Sequence, residues 1–183
     1  MTYKQLMIMT VISAQLAAPA LVRAAVPNET NASAQRIGIY DSRVVAYAHF
    51  WTPQNQQQLN EKMKAARAAK ASSDTAQFQK LTKELADEQQ RIHREVFSIA
   101  PADEAMAALQ PRLADIQKLA SVSALVSKWD KQALGSHKTA QQVDVTDLLV
   151  REFKLEPRQI KTIEEIKKQK PVPLDQIDKL HDD

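Results

Sequence analysis

The chain has no cysteine and, in 183 residues, only two glycines, Gly38 and Gly135. Without cysteine there can be no disulfide, no thiol chemistry, no thiolate zinc site and no lipid-modified N-terminal Cys. So little glycine leaves no Gly-rich phosphate loop and argues against a β-sandwich built on tight turns. Aromatic residues are also few, at 5%. Ala, Gln, Lys, Leu and Glu abound instead, and these residues build helices. At this length the chain forms one domain plus accessories, enough for a modest core.

A large charge of one sign is lacking as well. The full chain has 25 basic and 22 acidic residues. Its first residues read as a secretory signal. Lys4 forms the positive start, Leu6 to Leu16 a mostly apolar stretch, and Pro19 a break before "LVRAA", with Val22 and Ala24 as small residues before a cut after Ala24. An uncleaved anchor is the alternative, because residues 5–22 are uncharged, although Thr10, Ser13, Gln15 and Pro19 weaken it. Cleavage removes Lys4 and Arg23 and no acid, leaving 23 basic against 22 acidic residues. A nearly neutral mature chain gives no overall field for nucleic acid. No later segment is apolar enough to cross a membrane, so the expectation is a periplasmic or secreted protein with no stable insertion after cleavage.

Residues 25–35 are small and polar and read as a flexible leader, with Asn28 and Asn31 in N-x-S/T sequons. A first strand is predicted at Arg36 to Asp41, followed by a short helical or irregular piece, "SRVVAYAHFW". Thr52-Pro53 is a helix start, cap then first-turn proline, for a helix to about Ala71. "SSDT" breaks it, and Asp74 with Gln77 resembles a capping box for a second helix to about Ser98. Folded back on each other, these two would set Ala69 against Phe78, Ala66 against Leu81 and Met63 against Leu85, small against large, along a narrow seam. The expectation is a projecting, mostly solvated antiparallel helical hairpin at about 53–98.

A third long helix runs through "APADEAMAALQPRLADIQKLASV", with Asp103 and Glu104 in its first turn, a stripe of Met106, Leu109, Leu113, Ile116 and Leu119 or Ala120, and a kink expected at Pro111. A second strand, "ALVSKW", a loop holding Gly135, a third strand, "QQVDV", and a helix at "TDLLVREF" with Thr146 as its cap follow. Residues 154–183 form a C-terminal helical extension, with Ile160, Ile163 and Ile166 on one face and a Pro-punctuated arm at the end. The predicted fold class is α+β, predominantly helical, with a small three-stranded sheet as the body.

Three strand-like runs end in aspartate: Asp41, Asp130 and Asp144. Meeting at one sheet edge, they could hold a hard cation. The competing reading, which the residue types favour, is that they are helix caps and turn residues. The histidines, His49, His93, His137 and His181, are scattered without metal-site spacing. Ser42, Ser127 and Ser136 lack a nucleophile-elbow context. Lys128 and Trp129 alternate on the second strand, so Trp129 is expected to pack and Lys128 to face water. "EEIKKQK" reads as a solvated helix face.

The order strand, helical hairpin, returning helix, "ALVSKWD" and "VDVTDLLVREF" resembles the Skp/OmpH-like periplasmic chaperones. "RIGIYDSRVVAY" looks like that family's first strand and the segment after it. "LADIQKLASVSALVSKW" looks like its returning helix and next strand, and "QQVDVTDLLVREF" like its closing strand and helix. The resemblance covers about 36–153 and implies a β-rich body bearing coiled-coil tentacles, with unfolded or envelope proteins as partners. The hairpin arms are shorter than the family's tentacles, and residues 154–183 have no counterpart in its pattern. The resulting expectation is a non-enzymatic, chaperone-like or other protein-binding module without cofactor, either a monomer or a homo-oligomer. Phe78, Leu81 and Leu85 on the seam, with Lys128 and Trp129, are the candidate protein-binding residues. The alternatives are a metal-binding or enzymatic module on the strand-end aspartates and a structural envelope protein.

Overall fold

The computed structural model describes residues 35–177. The predicted signal segment, the sequons and His181 lie outside the described residues, as does all of the leader but Gln35. The chain is mostly helical, with a small three-stranded sheet. Strand β1 (Arg36–Tyr40) leads into α1 (Ser42–Phe50), α2 (Pro53–Ala71), α3 (Thr75–Phe97) and α4 (Asp103–Ala120). There follow β2 (Leu125–Ser127), α5 (Lys131–Ser136), β3 (Gln141–Asp144), α6 (Thr146–Arg151), α7 (Pro157–Lys168) and α8 (Leu174–Ile177).

All strand pairing is parallel, in the order β2-β1-β3. Gly38 pairs with Leu125 on one side and Val143 on the other. A methyl group at Gly38 would lie 2.8 Å from Leu125 Cδ2 and 3.0 Å from Val145 Cγ2, so this glycine permits a close approach. Parallel strands need crossovers of a dozen or more residues. Helices α1 to α4 make the first crossover and α5 makes the second. Gly135 therefore sits in a short helix, not in the expected loop.

The centre of the core is α1. Val44, Val45 and Ala48 have no exposed surface, and α3, α4, α6 and α7 all pack on this helix. Two adjacent β-branched residues are poor helix formers, which is why the sequence left this stretch undecided; burial from several sides overrides the propensity. Full burial of side chains such as Val44 or Leu149 contributes about 1.5–3 kcal/mol each. On α4, Ala105, Leu109 and Ile116 are buried, whereas Leu119 is 72% exposed, so the stripe ends on Ala120. The helix runs unbroken through Pro111.

Helices α2 and α3, joined through Ser72–Asp74 with Ser73 at φ 60°, pack on each other. Ala66, Ala69 and Leu81 are buried between them, Lys62 pairs with Glu88 at 2.8 Å, and Lys70 lies 5.7 Å from the Phe78 ring centre. Thr52 and Asp74 cap the two helices, accepting from the N–H groups of Asn55 and Gln77. The C-terminal half of α3 also packs against α1 and α8.

The C-terminal extension belongs to the same core. Ile163 and Ile166 of α7 and Ile177 of α8 are buried, while Ile160 is 47% exposed. Between these helices, Val172 N–H donates to Phe97 O, and Ser98 Oγ donates to Val172 O at 2.6 Å.

Candidate functional site

Because the strands are parallel, their C-terminal ends share one edge of the sheet, where Asp41, Asp130 and Asp144 all lie. Their carboxylates do not form a common site. Asp130 Oδ1 caps α5 by accepting from Ala133 N–H at 2.9 Å, and Asp144 Oδ1 accepts from Thr146 N–H at 2.8 Å. Both aspartates are exposed. Among the described residues, no group of three or more His, Cys, Asp or Glu is placed to hold a metal ion.

Asp41 differs from the other two. It caps α1 through Arg43 N–H at 3.1 Å, but it is also 1% exposed and the hub of a buried charge cluster. Arg43 grips it bidentately, Nε to Oδ1 at 3.1 Å and Nη2 to Oδ2 at 2.9 Å. Lys128 Nζ adds a contact to Oδ2 at 2.8 Å and the Trp129 indole N–H one to Oδ1 at 2.9 Å. Both cations also lie against the Trp129 ring, with the Arg43 guanidinium carbon 4.9 Å and Lys128 Nζ 4.7 Å from its centre. Arg43 also donates to Gln169 O and Ile166 O at the C-terminal end of α7, where the helix dipole favours a cation. Burial alone would push the Asp41 carboxyl up, but hydrogen bonds from Arg43, Lys128 and Trp129 hold it below the usual carboxylate range.

Two expectations are corrected at this hub. Strand β2 ends at Ser127, two residues earlier than predicted, so Lys128 and Trp129 do not alternate across a strand; both turn to Asp41. Thr146 is not the cap of α6: its hydroxyl accepts from Asp41 N–H at 3.0 Å, tying the ends of β1 and β3 together. Arg43, which the sequence reading passed over, completes the hub. The available signal was an arginine two positions after a strand-end aspartate, within reach of its carboxylate.

The apolar candidates lie elsewhere. A cleft of about 440 Å³ opens between the end of α1 and the bodies of α2 and α3. Tyr47 and Trp51 line it from the α1 side, Leu59 and Met63 from α2, and Leu85 and Phe97 from α3, with Ile92 and Val96 beneath. Besides the Tyr47 hydroxyl and the Trp51 indole N–H, its polar lining groups are on Gln89 and His93, and none of the lining residues is a Lys, Arg, Asp or Glu. A second hollow, of about 300 Å³, lies nearer Ser73 and is lined by Phe78, Ala66, Thr82, Arg67 and Lys70. The two meet at Met63 and Leu85, which line both. Of the seam candidates, Phe78 and Leu85 thus face open space, whereas Leu81 is 8% exposed and belongs to the packing of α2 on α3.

Behind the cleft lies a small polar recess. There Arg91 Nη1 reaches both oxygens of Glu95 at 3.0 and 3.1 Å, and Nη2 pairs with Glu104 at 3.0 Å. Burial raises the Glu95 carboxyl above its ordinary range despite Arg91, with Glu104 and Asp103 adding to the effect. Burial likewise keeps His49, which lines the same recess, below the usual imidazole range.

No family model, curated protein or solved structure matches the chain.

Proposed function

We propose that this is an exported, non-enzymatic protein-binding module of the Skp/OmpH-like kind, in which α2 and α3 form an antiparallel helical hairpin that shields apolar segments of unfolded or envelope proteins. One observation carries the reading: the continuous apolar strip made by the cleft and the second hollow, from Phe97 to Phe78 along α3. The cleft at its α1 end, an uncharged concavity of about 440 Å³ lined by aromatic and aliphatic side chains, has the usual form of a site for apolar groups. The opposing reading, a hard-cation or enzymatic site on the strand-end aspartates, has less support, because Asp130 caps α5, Asp144 holds a turn through Thr146 N–H, and Asp41 is held by Arg43, Lys128 and Trp129. Export rests on residues 1–24 and the resemblance on the pattern of residues 36–153.

The test uses the protein recovered from the expressing cell, whose first residue is expected to be Ala25. It is mixed with denatured lysozyme as the latter aggregates on reduction; with no cysteine of its own, the chain is indifferent to the reductant. Light scattering should fall to near baseline at stoichiometric ratios, with no nucleotide or metal added. Unchanged scattering would reject the shielding role, and an N-terminus at Met1 in the membrane fraction would reject cleavage.

A further inference from the structure

The two ends of the apolar strip differ in charge. At the α1 end the lining carries no Lys, Arg, Asp or Glu, and in the recess behind it Glu95 and Glu104 are paired to Arg91 and Glu88 to Lys62. A charged group entering that end would lose its water without meeting a counter-charge, so the cleft selects a neutral side chain. Four aromatic rings, Tyr47, Phe50, Trp51 and Phe97, surround it and favour an aromatic guest through offset and edge contacts. At the Ser73 end, Arg67 and Lys70 line the second hollow and are exposed, and neither forms an ion pair among the described residues. Residues 62–83 contain six basic side chains against Asp74 alone. Among the described residues, Lys62 and Lys83 are the ones of these six in ion pairs, to Glu88 and Asp87. The near-neutral total charge of the chain conceals this local excess.

We propose that the strip takes an extended polypeptide segment carrying one aromatic side chain and, about six residues away, a cluster of acidic residues. The spacing follows from the helix. From Ile92 in the cleft to Phe78 in the second hollow, α3 rises about 21 Å at 1.5 Å per residue. An extended chain at about 3.3 Å per residue covers that span in about six residues. The aromatic ring fills the cleft, and the carboxylates lie against Arg67 and Lys70. This assignment rests on the protein-binding reading above and names the chemistry of the segment bound.

The experiment uses fluorescein-labelled peptides of Gly, Ser and Thr carrying one Phe and three Asp about six residues from it. Binding is read by anisotropy against the whole protein. The complete peptide should bind about tenfold tighter than versions with Phe→Ala or with all three Asp→Asn. The R67E/K70E double variant should lose the preference for Asp over Asn while keeping that for Phe over Ala. F97A should do the reverse. All three positions are exposed, and circular dichroism confirms that each variant is folded. Absence of both preferences in the unaltered protein overturns the proposal, as does an equal loss of both in either variant. Co-sedimentation with vesicles of equal parts phosphatidylglycerol and phosphatidylcholine, lost in R67E/K70E while the peptides show no preference, overturns it in favour of a lipid surface. If lysozyme aggregation is suppressed but the peptides are not discriminated, this inference falls and shielding stands; the converse outcome leaves this inference and removes shielding.

Discussion

A carboxylate with 1% exposure stays ionised in a folded chain only if cations and donors replace its water, and around Asp41 they do. Asn at this position would leave the Arg43 guanidinium, itself 2% exposed, without its counter-charge. Breaking a buried pair from one side typically costs about 3–5 kcal/mol. Asp41→Asn should therefore lower the unfolding midpoint strongly. Asp130→Asn and Asp144→Asn should each cost at most about 1 kcal/mol, since Asn replaces Asp about as well in the cap of α5 and in the turn to Thr146 N–H, and only the dipole contribution is lost. Urea unfolding of the three variants separates these outcomes; equal small shifts would contradict the hub. Because the Asp41 carboxyl is held low when folded, its stabilisation is complete above the ordinary carboxylate range and disappears as pH falls through the lowered value. The unaltered protein should show that acid-side loss and Asp41→Asn should lack it. The aspartates could be recognised as cap and turn residues from residue type alone. The buried role of Asp41 could not, because Arg43 is its one near partner, while Trp129 and Thr146 lie 88 and 105 positions away and only the fold brings them in.

At the level of elements, α2 depends on α3, whereas α3 does not depend on α2 alone. Leu81 is 8% exposed between the two helices. Leu81→Asp puts a charge into the packed seam between α2 and α3, at a cost of several kcal/mol. Beyond Leu85, however, α3 is held by α1 and α8, and Val96 and Ser98 are 3% and 0% exposed. Hydrogen exchange of Leu81→Asp should show lost protection over α2 and the first half of α3, with protection retained from about Ile92 onward and throughout the sheet. Loss across the whole of 53–98 would mean that the pair is a separate arm, as its sequence suggests. That impression arises because Gln, Lys and Glu cover the outer faces of both halves, and period alone cannot tell a seam against one neighbour from a seam that passes into a core. The starts of α2 and α3 were legible for a plainer reason: Thr52-Pro53 and Asp74 act on the backbone within three residues. Helix α1 was not, since its stability comes from neighbours distant in sequence.

For the whole molecule, the boundary at Phe153 suggested by the family pattern is not a boundary in the core. Ile163, Ile166 and Ile177 fill space against the rest of the molecule, and the carbonyls of Ile166 and Gln169 complete the surroundings of Arg43. Deleting residues 156–183 should abolish cooperative thermal unfolding, as followed by circular dichroism at 222 nm. A truncated chain melting within a few degrees of the full one would show the extension to be dispensable. The Ile160, Ile163 and Ile166 spacing announced an apolar face; what that face covers is fixed by α1, whose own burial the sequence did not disclose.

The β2-β1-β3 order also has a consequence in time. Ile39 pairs with Val126 on one side and Asp144 on the other, so the central strand is made first and completed last. Closing such long loops is slow compared with forming a local helix pair. A chain that emerges N-terminus first will have α2 and α3 available to each other while β1 still lacks both neighbours. During that interval the edges of β1 are open to any passing strand, and Lys128, Trp129 and Thr146 arrive at Asp41 only when the interval ends.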